Sequence, residues 1–164
     1  IIENSMKIQD FLAKEFSNFE LQIGGDGDVE SLNNLIKKNN AENFIKTFGT
    51  LSLAEVAEKM RNSNCFILFS NNETQGCVIL ESISSGTPVI ATNVGGIPEI
   101  VNEQNGILIS NSETELINAM RSVLQQEITF DQPQNLHQFI DDHYSMKIIA
   151  SKFDQIYRQI LLYP

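Results

Sequence analysis

Two glutamates separated by seven residues, Glu73 and Glu81, have the type and spacing in this sequence that best fit a chemical role. Glu73 follows the short apolar run 65–69, which predicts a buried strand, and Glu81 falls inside a helix predicted over 76–85. In open α/β sheets ligands bind at the carboxyl ends of the strands, and a helix N-terminus there attracts anions such as a diphosphate. Two carboxylates beside that helix end could accept hydrogen bonds from the hydroxyls of a polyol.

The elements that must position these glutamates alternate between strands and helices along the chain. Predicted strands cover residues 19–23, 43–48, 65–69, 88–92 and 107–109. Predicted helices cover residues 4–16, 29–39, 52–62, 76–85, 97–101, 113–125 and 145–162. This alternation predicts an α/β fold, a Rossmann-like parallel sheet with helices on both faces, in one domain over residues 1–164.

Local signals add detail to this prediction. Capping boxes, in which a serine and a glutamate three residues later satisfy each other's backbone amides, are predicted at Ser52 with Glu55 and at Ser112 with Glu115. Residues 126–134 read as a surface linker.

The segments that follow the glutamate pair carry a specific resemblance. Gly-Thr-Pro-Val-Ile-Ala-Thr-Asn occupies 86–93, Gly-Gly-Ile-Pro-Glu occupies 95–99, and Asn-Gly occupies 105–106. Together with the glutamate pair, these segments closely resemble the C-terminal domain of the family 4 (group 1) retaining glycosyltransferases, which have the GT-B fold. The specific match covers residues 65–109, and the flanking residues follow the family only in pattern.

The resemblance implies transfer of a sugar from a nucleoside-diphosphate sugar to an acceptor, with retention at the anomeric carbon and with no metal or cofactor. It implies that Glu73 is the catalytic-site carboxylate that binds the donor sugar and that Glu81 binds the ribose. It also implies that the sugar and diphosphate face the backbone amides of Gln75, Gly76, Cys77 and Val78. Thr-Gln stands at 74–75 where Gly-Phe is commoner in the family, so the donor sugar stays open.

The expected partners are the nucleotide-sugar donor and a sugar or lipid-linked glycan acceptor. The family supplies an Arg/Lys pair for the diphosphate after the first strand of this domain, and we expect that strand, that pair and an N-terminal acceptor domain to precede residue 1. Between Arg61 and Arg121 there is no lysine or arginine, so we expect the isolated chain to be inactive. The chain also lacks an initiator methionine, which is typical of a fragment or of a processed product.

Charge and hydropathy bear on partners and location. The net charge of −10 argues against a nucleic-acid partner. There is no apolar run long enough for a transmembrane helix and no signal peptide, so a cytoplasmic location is expected, with any peripheral membrane contact made through the missing domain. Cys65 and Cys77 lie in apolar contexts and are expected to be buried free thiols.

Glycines cluster after the predicted strands. We expect Gly25, Gly27 and Gly49 to line the ligand cleft, although ordinary tight turns would use glycine there as well. The loop over 24–27 lacks the Gly-x-Gly-x-x-Gly spacing of dinucleotide-binding loops, which argues against NAD. Gly86 is predicted to cap a helix C-terminus, and Gly106 to form a turn.

Other polar and apolar candidates have plainer interpretations. His137 and His143 do not match a known metal-ligand spacing and are expected to be solvated surface residues. Glu99 could be a structural cap or face the ligand, with equal weight on each. The last predicted helix carries an apolar stripe that either packs on this domain or crosses to the N-terminal domain; its members are Met146, Ile149, Phe153, Ile156, Tyr157 and Ile160.

Three functions compete at this point. The chain could be the donor-binding half of a retaining glycosyltransferase, part of another GT-B enzyme such as a sugar-nucleotide 2-epimerase, or a non-catalytic nucleotide-binding domain. The glutamate pair in combination with the 86–90 segment favours the first.

Overall fold

The computed structural model describes residues 12, 13 and 15–161. Within them the strands are β1 (Leu21–Gly24), β2 (Ile45–Phe48), β3 (Phe66–Leu68), β4 (Val89–Thr92) and β5 (Gly106–Ile109). The α-helices are α1 (Val29–Lys38), α2 (Leu53–Arg61), α3 (Cys77–Ser84), α4 (Glu113–Leu124), α5 (Pro133–Tyr144) and α6 (Met146–Leu161). The short helix predicted over 97–101 is a 3-10 turn, Ile97–Glu99. The helix predicted over 4–16 falls mainly on residues outside those described.

All strand pairs in the described part of the chain are parallel, and they form two groups. β1 pairs with β2, and the order in the second group is β3-β4-β5. Within these ranges, only β4 has hydrogen-bonded neighbours on both sides, and β1, β2, β3 and β5 each have one neighbour. The predicted parallel, helix-covered strands are therefore present, and β1 and β3 are among the four that keep an open edge.

The core is organised around β4, whose four residues are all buried. Val89 and Ala91 pack on one face in a cluster that includes Ile79 and Ile83 of α3 and also Leu136 and Ile140 of α5. Ile90 points to the other face, into a cluster with Leu116, Ala119 and Met120 of α4. Because alternate strand residues point to opposite faces, a fully buried β4 requires helices on both sides, as the fold class predicted.

The helix α5 is absent from the sequence prediction, which reads its start as the end of the linker over 126–134. Pro133 occupies the first helical position, where the missing N–H of proline is not needed. Leu136 and Ile140, one turn apart, are buried against α3. His137 and His143 are exposed as predicted, and their Nδ1 atoms hydrogen-bond the carbonyl oxygens of Ser84 and Phe139.

One of the two predicted capping boxes forms completely. Ser52 accepts from the Glu55 amide, and the Glu55 carboxylate accepts from the Ser52 amide at 2.8 Å. The Ser52 hydroxyl also donates to the Glu55 carboxylate at 2.6 Å, and this bond, followed by the one from the Ser52 amide, lowers the pKa of Glu55. Only half of the second predicted capping box forms. Ser112 accepts from the Glu115 amide, but the Glu115 carboxylate accepts from the amide of Ser110 at 2.7 Å instead of from that of Ser112.

Two glycines differ from their predictions, and a third agrees. Gly106 is the first residue of β5 rather than part of a turn, and a Cβ there would lie 2.5 Å from the carbonyl oxygen of Val89. Gly24 ends β1 instead of following it, and a Cβ there would enter the ring of Phe48. Gly86 has φ +84° after the C-cap of α3, which confirms the predicted capping role.

The helix α6 exposes its apolar stripe. Among its described residues none is buried, and Phe153, Ile156 and Tyr157 are 54%, 50% and 59% exposed. Packing of this stripe on the present domain, one of the two predicted arrangements, is therefore wrong. The helices seen between residues 12 and 161 include none with the length and apolar character needed to cross a bilayer.

Candidate functional site

The loop over 69–76 connects β3 to α3 and ends at Gly76, which is the N-cap of the helix. Gly76 is buried and left-handed, with φ 69° and ψ 53°. A Cβ at this position would lie 3.4 Å from Ile79 and Ile97, so the backbone conformation rather than the lack of space selects glycine. Since glycine has no side chain to accept a hydrogen bond, the N-terminus of α3 has no side-chain cap.

The first turn of α3 carries the amides of Cys77 and Val78, which the family resemblance assigned to the ligand. The first helical hydrogen bond runs from the Ile79 amide to the Gly76 carbonyl oxygen at 2.8 Å. The amides of Cys77 and Val78 come before it and therefore have no acceptor within the helix. Gln75 is exposed in the loop just before Gly76. The N-terminus of α3 is thus open to an acceptor from outside.

The two glutamates flank this helix start. Glu73 is half-buried in the loop, and Glu81 is exposed one turn inside α3. The buried face of α3 is formed by Ile79 and Ile83, so Glu81 lies on the solvent side. The structure confirms that Glu73, the Gly76 helix start and Glu81 all lie where β3 leaves the sheet, at the carboxyl end of the strand.

The cysteines differ from the prediction that both thiols are buried. Cys77 is exposed, because it lies four residues before Glu81 on the same outer face of α3. Cys65 packs beside β3, and burial raises the pKa of its thiol to about 12.

The base of the Glu73 loop is fixed by Thr92, the fully buried last residue of β4. The Thr92 hydroxyl donates to the Ser70 carbonyl oxygen at 2.7 Å and accepts from the Ser70 amide at 3.0 Å. The next residue of the loop, Asn71, accepts from the side-chain amide of Asn111 at 2.6 Å. These contacts join the loop to the ends of β4 and β5.

The far side of the same loop rests on Gly95 and Gly96. The Gly96 amide donates to the Thr74 carbonyl oxygen at 2.9 Å. A Cβ on Gly95 would lie 1.7 Å from the carbonyl oxygen of Glu73, and one on Gly96 would lie 2.7 Å from that of Thr74. In the sequence, these glycines were part of the family resemblance, and their contact with the loop was missed. The position of the pair after β4, next to β3 in the sheet, is the signal that could have indicated it.

The remaining predicted site residues lie on other loops. Gly25 and Gly27 join β1 to α1, Gly49 follows β2, and all three are exposed with open space where a Cβ would be. Glu99 is exposed in the 3-10 turn, and its carbonyl oxygen accepts from the Tyr144 hydroxyl at 3.0 Å. Partial burial, followed by the Glu99 charge, raises the pKa of Tyr144.

Charge around the site is negative or neutral. The sequence places no lysine or arginine between Arg61 and Arg121. Arg121 pairs with Glu15 at 2.8 Å, and Lys59 donates to Gln22 at 3.1 Å beside β1. The described residues also contain no group of three or more His, Cys, Asp and Glu side chains placed to hold a metal ion.

The chain is similar to known proteins in sequence and in fold. A family model described as Glycosyl transferases group 1 matches residues 5–142. The chain belongs to this family. N-acetyl-alpha-D-glucosaminyl L-malate synthase from Bacillus anthracis is 27% identical over 146 residues, covering 87% of this chain and 38% of that protein.

Solved structures show which domain of the GT-B fold this group 1 glycosyl transferase chain resembles. The C-terminal domain of LpcC, a group 1 family protein from Francisella tularensis, superimposes with a TM-score of 0.73 at 20% identity, over 87% of this chain and 78% of that domain. Anabaena HepE in complex with UDP superimposes with a TM-score of 0.76 at 23% identity, over 93% of this chain and 44% of that protein. The group 1 chain therefore has the Rossmann-like fold of a GT-B C-terminal domain, and it spans less than half the length of the Bacillus relative.

Proposed function

We propose that this chain is the donor-binding domain of a glycosyltransferase, which transfers a sugar from a nucleoside-diphosphate sugar to an acceptor with retention and without a metal or other cofactor. The observation that supports this most directly is the placement of Glu73 and Glu81 on either side of the uncapped start of α3. The family match favours glycosyl transfer over the two other functions that the sequence left open, an epimerase and a non-catalytic nucleotide-binding domain.

Each group at the start of α3 has a proposed role. The Glu73 carboxylate accepts hydrogen bonds from hydroxyls of the donor sugar, and the exposed Glu81 carboxylate accepts from the ribose hydroxyls. The helix start faces the diphosphate and the sugar with the amides of Gln75, Gly76, Cys77 and Val78. The UDP found with HepE, a protein of the same fold, supports a nucleoside diphosphate as the ligand class.

The other loops and edges complete the proposed cleft. Gly25, Gly27 and Gly49 lie in the loops after β1 and β2, where their open space admits the ligand. A strand from the preceding part of the protein pairs with the open edges of both β1 and β3 and lies between them. The loop after that strand supplies the cations that residues 62–120 lack. The acceptor, a sugar or a lipid-linked glycan, binds a separate N-terminal domain, and the exposed stripe of α6 packs on that domain in a cytoplasmic enzyme.

The test uses the full-length protein and separates binding from turnover. Glu81→Ala is expected to weaken nucleotide binding by about 1–3 kcal/mol, because a hydrogen-bonded charged acceptor is lost. Glu73→Ala is expected to lower kcat mainly, because its partner is the reacting sugar. Glu103→Ala removes an exposed carboxylate from the turn that precedes β5 and is the matched control.

Binding is measured by calorimetry with UDP, GDP and ADP, and turnover with the matching sugar nucleotides. An equal loss of nucleotide affinity in the Glu73 and Glu81 variants would contradict the division of roles. An inverted anomeric configuration in the product, or a requirement for a divalent metal ion, would contradict the proposed reaction.

A further inference from the structure

We propose that Gly95 and Gly96 are positioning residues for the Glu73 loop. Their backbone packs against the loop and fixes the position of Glu73 relative to the N-terminus of α3. The inference rests on the proposed function of Glu73 as the carboxylate that contacts the donor sugar. The glycine pair acts through Glu73 and makes no contact with the ligand itself.

Gly95 makes the closest approach. Its φ of +57° is a left-handed conformation that residues with a side chain rarely adopt. The space that a Cβ would need is filled by the carbonyl group of Glu73, with the oxygen at 1.7 Å and the carbon at 2.7 Å from the Cβ position. Both distances are to backbone atoms, which cannot rotate away as a flexible side chain could. An alanine at Gly95 must therefore displace the backbone of Glu73 or its own.

Gly96 fixes the neighbouring residue of the loop by a direct bond. Its amide donates to the Thr74 carbonyl oxygen at 2.9 Å. A Cβ on Gly96 would lie 2.7 Å from the same oxygen, a milder clash than at Gly95. Gly96 does not have a positive φ. Its alanine variant therefore imposes only the milder steric clash with the loop, whereas the Gly95 variant adds backbone strain to a severe clash.

The alternative is that the two glycines only serve the stability of the domain. Gly86 is a matched control for this alternative, because it also has a positive φ of +84° and a Cβ there would lie 2.8 Å from Pro133. It follows the C-terminus of α3, at the opposite end of the helix from the Glu73 loop. Gly86→Ala therefore imposes strain of the same kind without touching the proposed site.

The experiment compares Gly95→Ala, Gly96→Ala and Gly86→Ala in the full-length protein. Hydrogen exchange of the peptide over 70–76 reports the order of the loop, independently of activity. Steady-state kinetics and nucleotide affinity report the function. We expect Gly95→Ala to speed exchange of this peptide and to lower kcat by about 10- to 100-fold, the scale for misplacing a reacting group by about 1 Å.

Gly96→Ala should act in the same direction with a smaller effect. In both variants nucleotide affinity should fall less than kcat, because Glu81 and the amides of Cys77 and Val78 lie on α3, outside the displaced loop. Gly86→Ala should change exchange near α5 and leave kcat per folded molecule unchanged. Normal exchange over 70–76 in Gly95→Ala, or a kcat loss as large in Gly86→Ala, would overturn the inference. A wild-type protein that transfers no sugar would refute the proposed function, whereas the exchange data would still decide whether the glycines hold the loop.

Discussion

Thr92 gives the sharpest test of how the Glu73 loop is anchored. The Thr92 hydroxyl is fully buried and makes two hydrogen bonds with one residue, donating to the Ser70 carbonyl oxygen and accepting from the Ser70 amide. Thr92→Val preserves the shape of the side chain and removes both bonds. The substitution therefore separates the polar anchor from the packing around it.

The size of the effect follows from three contributions. Each lost hydrogen bond destabilises by about 0.5–1.5 kcal/mol, and the Ser70 groups left without a partner add to this loss. The extra methyl group returns about 0.8 kcal/mol of apolar burial. We expect the free energy of unfolding to fall by about 2 kcal/mol, which corresponds to a Tm lowered by about 4–8 °C for a chain of this length.

Urea unfolding of the 164-residue chain, followed by circular dichroism, measures this change. Thr92→Ser is the matched control, because it keeps the hydroxyl and loses one buried methyl group, a loss of about 1 kcal/mol. A valine variant as stable as wild type, or a serine variant less stable than the valine variant, would refute the argument that the hydroxyl anchors the loop.

Three further predictions concern the isolated chain. UDP, GDP and ADP should bind it no tighter than about 1 mM, or about −4 kcal/mol, because residues 62–120 offer no cation and the net charge is −10; micromolar affinity in an NMR titration would contradict this. The exposed Cys77 should react with a disulfide reagent at pH 7 while Cys65 stays protected, because a pKa of about 12 leaves about one Cys65 thiol in 100,000 as thiolate. Rapid reaction of both thiols would contradict this prediction. The lowered pKa of Glu55 means that its ionised carboxylate stabilises the fold above the ordinary value of 4.5 and that this contribution disappears as the pH falls through the lowered pKa. The gap in urea midpoint between wild type and Glu55→Gln should therefore shrink below that pH, and a constant gap would contradict the reasoning.

The elements that carry the site are readable from the sequence because their signals are local. The apolar run over 65–69, the buried strand over 89–92 and the Gly76 helix start each have a strong pattern and lie where predicted within two residues. In contrast, α5 has a polar composition and a glutamine at its N-cap that makes no side-chain capping bond. Its apolar spacing at Leu136 and Ile140, together with the initial Pro133, was the available signal.

What the sequence could not provide is contact between segments distant along the chain. The bonds of Thr92 to Ser70, and of Gly96 to Thr74, join residues about 22 positions apart that only the parallel register of β3 and β4 brings together. The exposure of Cys77 was missed for a different reason. Its sequence neighbours are apolar, but the helix rotates it away from the face that Ile79 and Ile83 bury.

The open edges of β1 and β3 have a consequence for synthesis on the ribosome. If an upstream strand fills the space between them, that strand leaves the ribosome before either of its neighbours. β1 and β3 are separated by about 40 residues, which at about 5–20 residues per second delays the second neighbour by about 2–8 s. During that interval the edge of the upstream strand that would pair with β3 has no partner, so chaperone binding to the nascent chain should concentrate in the window between translation of Gly24 and of Leu68.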